Sequence, residues 1–177
     1  HQGASYVFNY LQFCSASETV LSLTISIITV TWNCSATVAD CLASVAAQSY
    51  RHREHVVIDG ASTDGTVELL ESLRGQLGVL VSEPDKGIYD ALNKGIARST
   101  GDVVGFLHAD DLYAHPNVLN DVARAFTDPT VCAVYGDLQY VKQQDPSQVV
   151  RHWKSAPFSA RRLSWGWMPP HPTLYVR

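Results

Sequence analysis

Four times along this chain an apolar run rich in Val and Ile gives way to a polar loop, and then to a segment with helical spacing. The strand-like runs are LTISIITVTWN (residues 23–33), HVVID (55–59), GVLVSE (78–83) and DVVGFLHADD (102–111), with the β-branched content that suits a pleated sheet. After the first, Val38, Leu42, Val45 and Ala46 recur at the spacing of one helix face up to Gln48. TVELLESLRG (66–75), IYDALNKGIARS (88–99) and HPNVLNDVARAF (115–126) read as three further helices, with Pro116 near the start of the last. One strand–helix unit about every 25–30 residues predicts an α/β fold with a mostly parallel central sheet flanked by helices. VCAVYGDLQYV (131–141) reads as a further strand or hairpin arm. In open parallel sheets ligands bind beyond the carboxyl ends of the strands. TWN, DGASTDG, SEPDKG and HADD all fall at that edge, which points to one pocket rather than four unrelated solvated turns.

Size and composition narrow the partners. A chain of 177 residues with 46% apolar and 17% charged residues is globular and large enough for one domain with its own core. The organised part spans residues 23–177; residues 1–22 show no clear period and read as an N-terminal extension. Net charge is 13 − 17 = −4, which leaves no overall basic footprint for nucleic acid or for anionic lipid. TVLSLTISIITV (19–30) is too short and too rich in Ser and Thr to span a bilayer, which leaves a peripheral membrane association open. Cys14, Cys34, Cys41 and Cys132 form no CxxC or zinc-type spacing and read as small apolar fillers in a reducing setting. The chain starts at His1 without a methionine and stops within the strand-like LYVR, so it reads as a fragment truncated at the C-terminus.

The familiar nucleotide motifs are missing. GxGxxG does not occur, and GASTDGT has Walker-type glycines at Gly60 and Gly65 but Thr66 where the lysine belongs, which removes the main cation for terminal phosphates. Neither HExxH nor GxSxG is present. What remains is the abrupt end of VVGFLHADDLY in two adjacent acids, Asp110 and Asp111. A carboxylate beside a buried run is costly unless something pairs with it. For the pair alone, a strand running out into solvent is the simpler account; beside three other polar loops, a divalent cation is the better one.

The joint pattern resembles the family-2 glycosyltransferases, enzymes with a GT-A (Rossmann-like) fold. SIITVTWN resembles the first strand and its nucleotide-contacting end, and HVVIDGASTDGT the second strand with its acidic loop. SEPDKGIYDALNKGI resembles the third loop and helix, and GFLHADDLY the DXD-type metal motif. Two departures stand out: Val30 where the family often has proline, and His108 where it often has an acid. The resemblance implies a nucleotide-sugar donor, a glycan or lipid-linked acceptor, and Mn2+ or Mg2+ held by Asp111, with Asp110 on the ribose or on a water of the metal. It implies a bacterial cytoplasmic setting, at the inner face of the membrane, in polysaccharide or surface-glycan synthesis.

Further residues follow from the same resemblance, each beside a plainer alternative. Asp59 ends a buried strand, where it would accept the ring N–H of uracil or cap the turn; the first role favours a UDP-sugar. Asp64 reads as a structural cap or turn acid. Thr31 and Asn33 lie at the base or ribose, with helix capping the alternative for Asn33. Asp90, Asn93 and Lys94 share a helix face at i, i+3 and i+4, available to the donor or to a solvated ion pair, and Asp85 and Lys86 precede them. Trp165, Trp167 and His171 lie on the acceptor side, His171 alternatively toward the diphosphate, with core packing the plainer account of the tryptophans and a turn position that of His171. The transfer implied is inverting, with a carboxylate base that the resemblance places beyond Arg177; Asp137 is the best acid left and a poor candidate. A non-catalytic nucleotide-sugar-binding domain and a metal-dependent nucleotidyltransferase are the competing readings. The second would want a basic, glycine-rich loop after the first strand, and TVTWNCS offers none.

Overall fold

The computed structural model describes residues 23–177, so the N-terminal extension and Cys14 lie outside it. Strands β1 (Ile25–Thr31), β2 (Arg53–Asp59), β3 (Val79–Ser82) and β4 (Val103–Phe106) alternate with helices α1 (Val38–Ala46), α2 (Thr66–Ser72), α3 (Ile88–Arg98) and α4 (Val118–Ala125). The chain then turns antiparallel, through β5 (Ala133–Val134), β6 (Leu138–Lys142), β7 (Asp145–Trp153), the short helix α5 (Ala160–Ser164) and β8 (Tyr175–Val176). The main sheet has the order β3-β2-β1-β4-β8-β5, and β6 and β7 form a separate two-stranded sheet. β1 pairs in parallel with both β2 and β4, and β2 with β3, while β8 runs antiparallel to β4 and β5.

The mostly parallel sheet expected from the alternation is therefore present, and its order places β1 at the centre. Ile25, Ile27 and Ile28 are buried there, and Val56, Val57 and Ile58 beside them on β2. These near-continuous apolar runs are what a sheet covered on both faces requires. One layer of core joins β1 and β4 to α4 through Leu119, Val122 and Phe126. A second packs Val38 and Leu42 of α1 with Leu70 of α2 on Val57, and a third sets Ala91 of α3 on Ile28 and Ile58. Cys41 is a buried filler as expected, whereas Cys132 is exposed.

The run at 131–141 divides into two strands, and the reason is local. Gly136 donates its N–H to Thr173 Oγ1 at 3.3 Å and accepts from it at 3.0 Å, and Asp137 accepts the Ser155 N–H at 2.7 Å. The backbone between β5 and β6 is thus tied across the chain rather than along a ladder.

Gly105 makes the antiparallel edge possible. It pairs with Tyr175, and a Cβ on it would lie 2.2 Å from Tyr175 Cε1. Tyr175 is fully buried, and its hydroxyl shares a 2.7 Å hydrogen bond with that of Tyr113, so the ring has little room to move aside. Gly105→Ala is expected to lower stability by about 2–3 kcal/mol, the range of overpacked cores. The check is the urea midpoint, and an unchanged midpoint would refute the packing argument.

Candidate donor site at the carboxyl edge of the sheet

Four loops meet where β1 to β4 end. The floor is Asp59, the last residue of β2, with 0% exposure. Its Oδ1 accepts from Thr31 Oγ1 at 2.9 Å and from the Ser62 hydroxyl; its Oδ2 accepts from the Ser62 N–H at 2.9 Å and Ser82 Oγ at 2.7 Å. Four donors occupy the roughly four acceptor positions of a carboxylate. Burial pushes its pKa up, but the bonds from Ser62, Ser82 and Thr31 outweigh that and hold it below the ordinary carboxylate value. Asp59 thereby joins the ends of β1, β2 and β3.

The first two loops are also clipped together above it. Asn33, at φ +48°, receives the Thr63 N–H on its side chain at 2.9 Å and gives its own N–H to Ser62 Oγ at 2.8 Å. Asp64 accepts from the Ser35 N–H at 3.0 Å and from the Thr66 N–H at 3.0 Å. The Thr66 hydroxyl is the first cause of its lowered pKa. Asp64 is the turn acid of the two alternatives: it closes the turn before α2, whose N-cap position is Gly65.

Gly60 is the point where three loops touch. A Cβ there would stand 2.5 Å from Asp85 Oδ2 and 3.4 Å from Trp32 Cδ1. Trp32 is 70% exposed although it directly follows the central strand. Sequence reasoning passed over it, quoting TWN for its threonine and asparagine. The available signal was a large aromatic at the mouth of the central strand, where burial had no reason to end so sharply.

The third loop is held by Lys94. Its Nζ lies 3.1 Å from Glu83 Oε1 and 3.4 Å from Asp90 Oδ2, and donates to the Pro84 carbonyl at 2.9 Å. Desolvation lowers its pKa, yet the Glu83 and Asp90 carboxylates outweigh that and raise it. Asp90 also accepts the Lys86 N–H at 3.1 Å, and Asp85 the Gly87 N–H at 2.8 Å. Lys94 is thus spent on the loop itself, whereas the Lys86 and Asn93 side chains are exposed.

At the fourth loop the two acids separate. Asp110 is exposed and Asp111 is 1% exposed: past the end of β4 the chain makes a tight turn, with the Asp111 N–H on the His108 carbonyl at 2.9 Å, and the two neighbouring acids leave it on opposite sides. Asp111 lies toward Cys41, whose thiol pKa is raised first by burial and then by the Asp111 charge. His108 meets His171 across the chain, Nε2 to Nε2 at 3.2 Å. Burial first, and the neighbouring imidazole second, lower the pKa of His108, against the opposing charge of Asp110. Among the described residues no three His, Cys, Asp or Glu side chains already surround one point as a metal site. A divalent cation in a nucleotide site needs only one or two protein ligands beside the phosphates, and the oxygen and nitrogen donors at Asp110, His108 and His171 fit that demand.

The predicted acceptor-side tryptophans part company. Trp165 is 78% exposed, with the Arg161 guanidinium 5.1 Å from its ring centroid. Trp167 is half-buried, edge-on to Tyr135 at 5.8 Å. Both line a cavity of about 460 Å³ with Ala156, Ser159, Arg161 and Arg162. Asp137 is engaged by Ser155 at 2.7 Å and by His152 Nε2 at 3.5 Å, which leaves it poorly placed as a base.

A parallel sheet with this order and a polar, acid-bearing carboxyl edge defines the GT-A (Rossmann-like) class. The glycosyl transferase family 2 model matches residues 26–173, and the chain belongs to that family. An uncharacterized glycosyltransferase of Mycobacterium tuberculosis is 41% identical over 105 residues, 59% of this chain and 40% of that protein. The mannosyltransferase PcManGT of Pyrobaculum calidifontis, solved in complex with GDP-Man and Mn2+, is 32% identical with a TM-score of 0.58, over 64% of this chain and 35% of its own. S. aureus TarS 1-349 in complex with UDP-GlcNAc is 26% identical with a TM-score of 0.58, over 63% and 33%. The chain spans about 40% of the length of the curated relative and about a third of the two solved chains. Among the described residues no helix is long and apolar enough to cross a membrane.

Proposed function

We propose that this chain forms the donor-binding part of a glycosyltransferase that moves a sugar from a nucleoside-diphosphate sugar to an acceptor hydroxyl; with the acceptor positions of Asp59 taken by Thr31, Ser62 and Ser82, that residue gives no preference for a UDP-sugar. The observation that carries the reading is the convergence of four polar loops on one sheet edge, with an exposed Trp32, an exposed Asp110 and a rigid floor at Asp59. The nucleotide sugars bound by the two similar solved proteins support the donor class. Trp32 offers the base a stacking face, and Thr31 and Asn33 hold the loop beneath it. Asp85, Lys86, Asp90 and Asn93 line the third loop toward ribose, diphosphate and sugar, with Lys94 keeping that loop closed. When bound, a divalent cation would supply the positive charge that offsets the departing diphosphate; the resemblance puts it on Asp111, but with Asp111 buried and Asp110 exposed we assign it to Asp110, with Asp111 behind it.

The acceptor approaches from α5, where Trp165 and Trp167 present apolar surface to a sugar ring. Residues 146–177 contain Arg151, Lys154, Arg161, Arg162 and Arg177 and no acid, and Phe158 and Met168 are exposed among them. That combination suits an anionic, lipid-linked acceptor at the inner membrane face. We assign the general base to none of these residues.

Calorimetric titration with UDP, GDP and dTDP, each with Mn2+ and then with EDTA, tests the reading. One nucleotide is expected to bind in a metal-dependent way, and Trp32→Ala to weaken it roughly 10-fold, within the ~1–3 kcal/mol of one base–aromatic stack. A folded sample that binds none of the three would remove the donor site.

A further inference from the structure

The His108–His171 contact joins two imidazoles from residues 63 apart in the chain. His108 follows β4, with its carbonyl accepting both the Asp111 N–H at 2.9 Å and Cys41 Sγ at 3.3 Å. His171 opens a 3-10 turn, His171–Thr173. That turn is pinned by the buried Thr173 hydroxyl, which donates to Gly136 O at 3.0 Å and Pro170 O at 2.8 Å. β8 then follows directly, paired to β4. Both rings therefore stand on anchored segments flanking the same end of two adjacent strands, so their approach is set by the sheet.

The geometry of the pair suits more than a hydrogen bond between neutral rings. Two imidazole nitrogens each ~2.1 Å from one ion stand roughly 3.0–3.4 Å apart for ligand angles between octahedral and tetrahedral. The two Nε2 atoms are 3.2 Å apart, with ring centroids at 5.3 Å and planes inclined by 64°. The ring that now carries its proton on Nε2 would carry it on Nδ1 instead, by exchange through solvent and with no net proton lost, so that both Nε2 lone pairs face the cation. Asp110, two residues on and exposed, brings a carboxylate to the same rim.

We propose that His108 and His171, with Asp110, bind the divalent cation of the donor site, so that this protein takes its metal partly through nitrogen. The inference rests on the donor-site reading and deepens it. Its consequence is selectivity. Mg2+ prefers an all-oxygen shell, whereas affinity for a nitrogen-bearing site rises along the transition series from Mn2+. Substituting an imidazole for an acid at position 108 would shift the preference away from Mg2+.

The test is pulsed electron paramagnetic resonance of Mn2+ bound to the full chain with UDP, and in parallel with GDP, reading 14N modulation from coordinated imidazole. Two nitrogen couplings are expected, falling to one in His171→Ala and one in His108→Asp. His171→Ala is expected to weaken Mn2+ by at least about 10-fold, and His108→Asp to regain Mg2+ in its place. Mn2+ bound beside nucleotide without 14N modulation would overturn the nitrogen ligation and leave the donor site standing, as would couplings unmoved by both variants. Nucleotide binding that is indifferent to Mn2+ would also overturn it. Absence of all nucleotide binding in a folded chain would overturn the donor site as well.

Discussion

Asp59→Ala is expected to cost about 3 kcal/mol or more of stability and to abolish nucleotide binding together with it. The side chain is fully buried and accepts four hydrogen bonds from Thr31, Ser62 and Ser82. A hydrogen bond to a charged group contributes about 1.5–3 kcal/mol, and a buried donor left without its acceptor costs about 1–3 kcal/mol. The hydroxyls can rotate toward water that enters the vacated space, so the sum is well below four full bonds. Asp59→Asn keeps one acceptor oxygen but turns an NH2 toward hydroxyl donors, and should lose about half as much. Urea denaturation of both variants gives the order, and an Asp59→Ala midpoint equal to the parent would refute the anchoring role. The same residue sets an acid limb. Its pKa is lowered in the folded state, so its contribution is fully present above the unfolded carboxylate value of about 3.9. It is lost as pH falls through the lower folded value. The parent's stability is therefore expected to fall more steeply in that acid range than that of Asp59→Asn.

Why this anchor was legible only as a candidate shows what a sequence carries. The position of Asp59 at the end of a buried strand followed from short β-branched runs bounded by turn residues, as did β1 to β4, and their alternation with helical segments is what a covered parallel sheet requires. The lone pairs of its carboxylate depend on where Ser82 arrives, 23 residues later, and no local spacing encodes that. Asp64 was easier, since one of its partners, Thr66, stands two residues on in the same turn. The antiparallel edge was least legible: β5 and β8 have two residues each, too few for any period. They exist because Gly105 admits Tyr175. His171 accordingly carried no sign of meeting His108, and Trp32 was hidden by the strand it ends. Beyond a strand end a single residue's inward or outward direction is decided by the turn the chain makes there, and the turn closed by the Asp111 N–H on the His108 carbonyl is what separates Asp110 from Asp111.

That separation produces the other large effect. Asp110→Ala is expected to remove the metal dependence of nucleotide binding while leaving the fold intact, because its carboxylate is exposed and exposed substitutions usually shift stability by less than about 0.5 kcal/mol. Loss of a residue that only supports a ligand costs about 10–100-fold in metal affinity, so loss of a ligand carboxylate should cost roughly 100-fold or more. Asp111→Ala should behave differently. Its side chain is 1% exposed and packed toward Cys41, so its removal opens a polar void in the core beneath the loop. Melting temperature and Mn2+-dependent UDP binding are then expected to fall together. The two variants measured side by side divide the motif into a residue that meets the cation and a residue that holds the loop for it. The reverse pattern, with metal binding lost in a fully stable Asp111→Ala and kept in Asp110→Ala, would place the cation on the inner acid. It would require the loop to turn over by one residue when the nucleotide arrives.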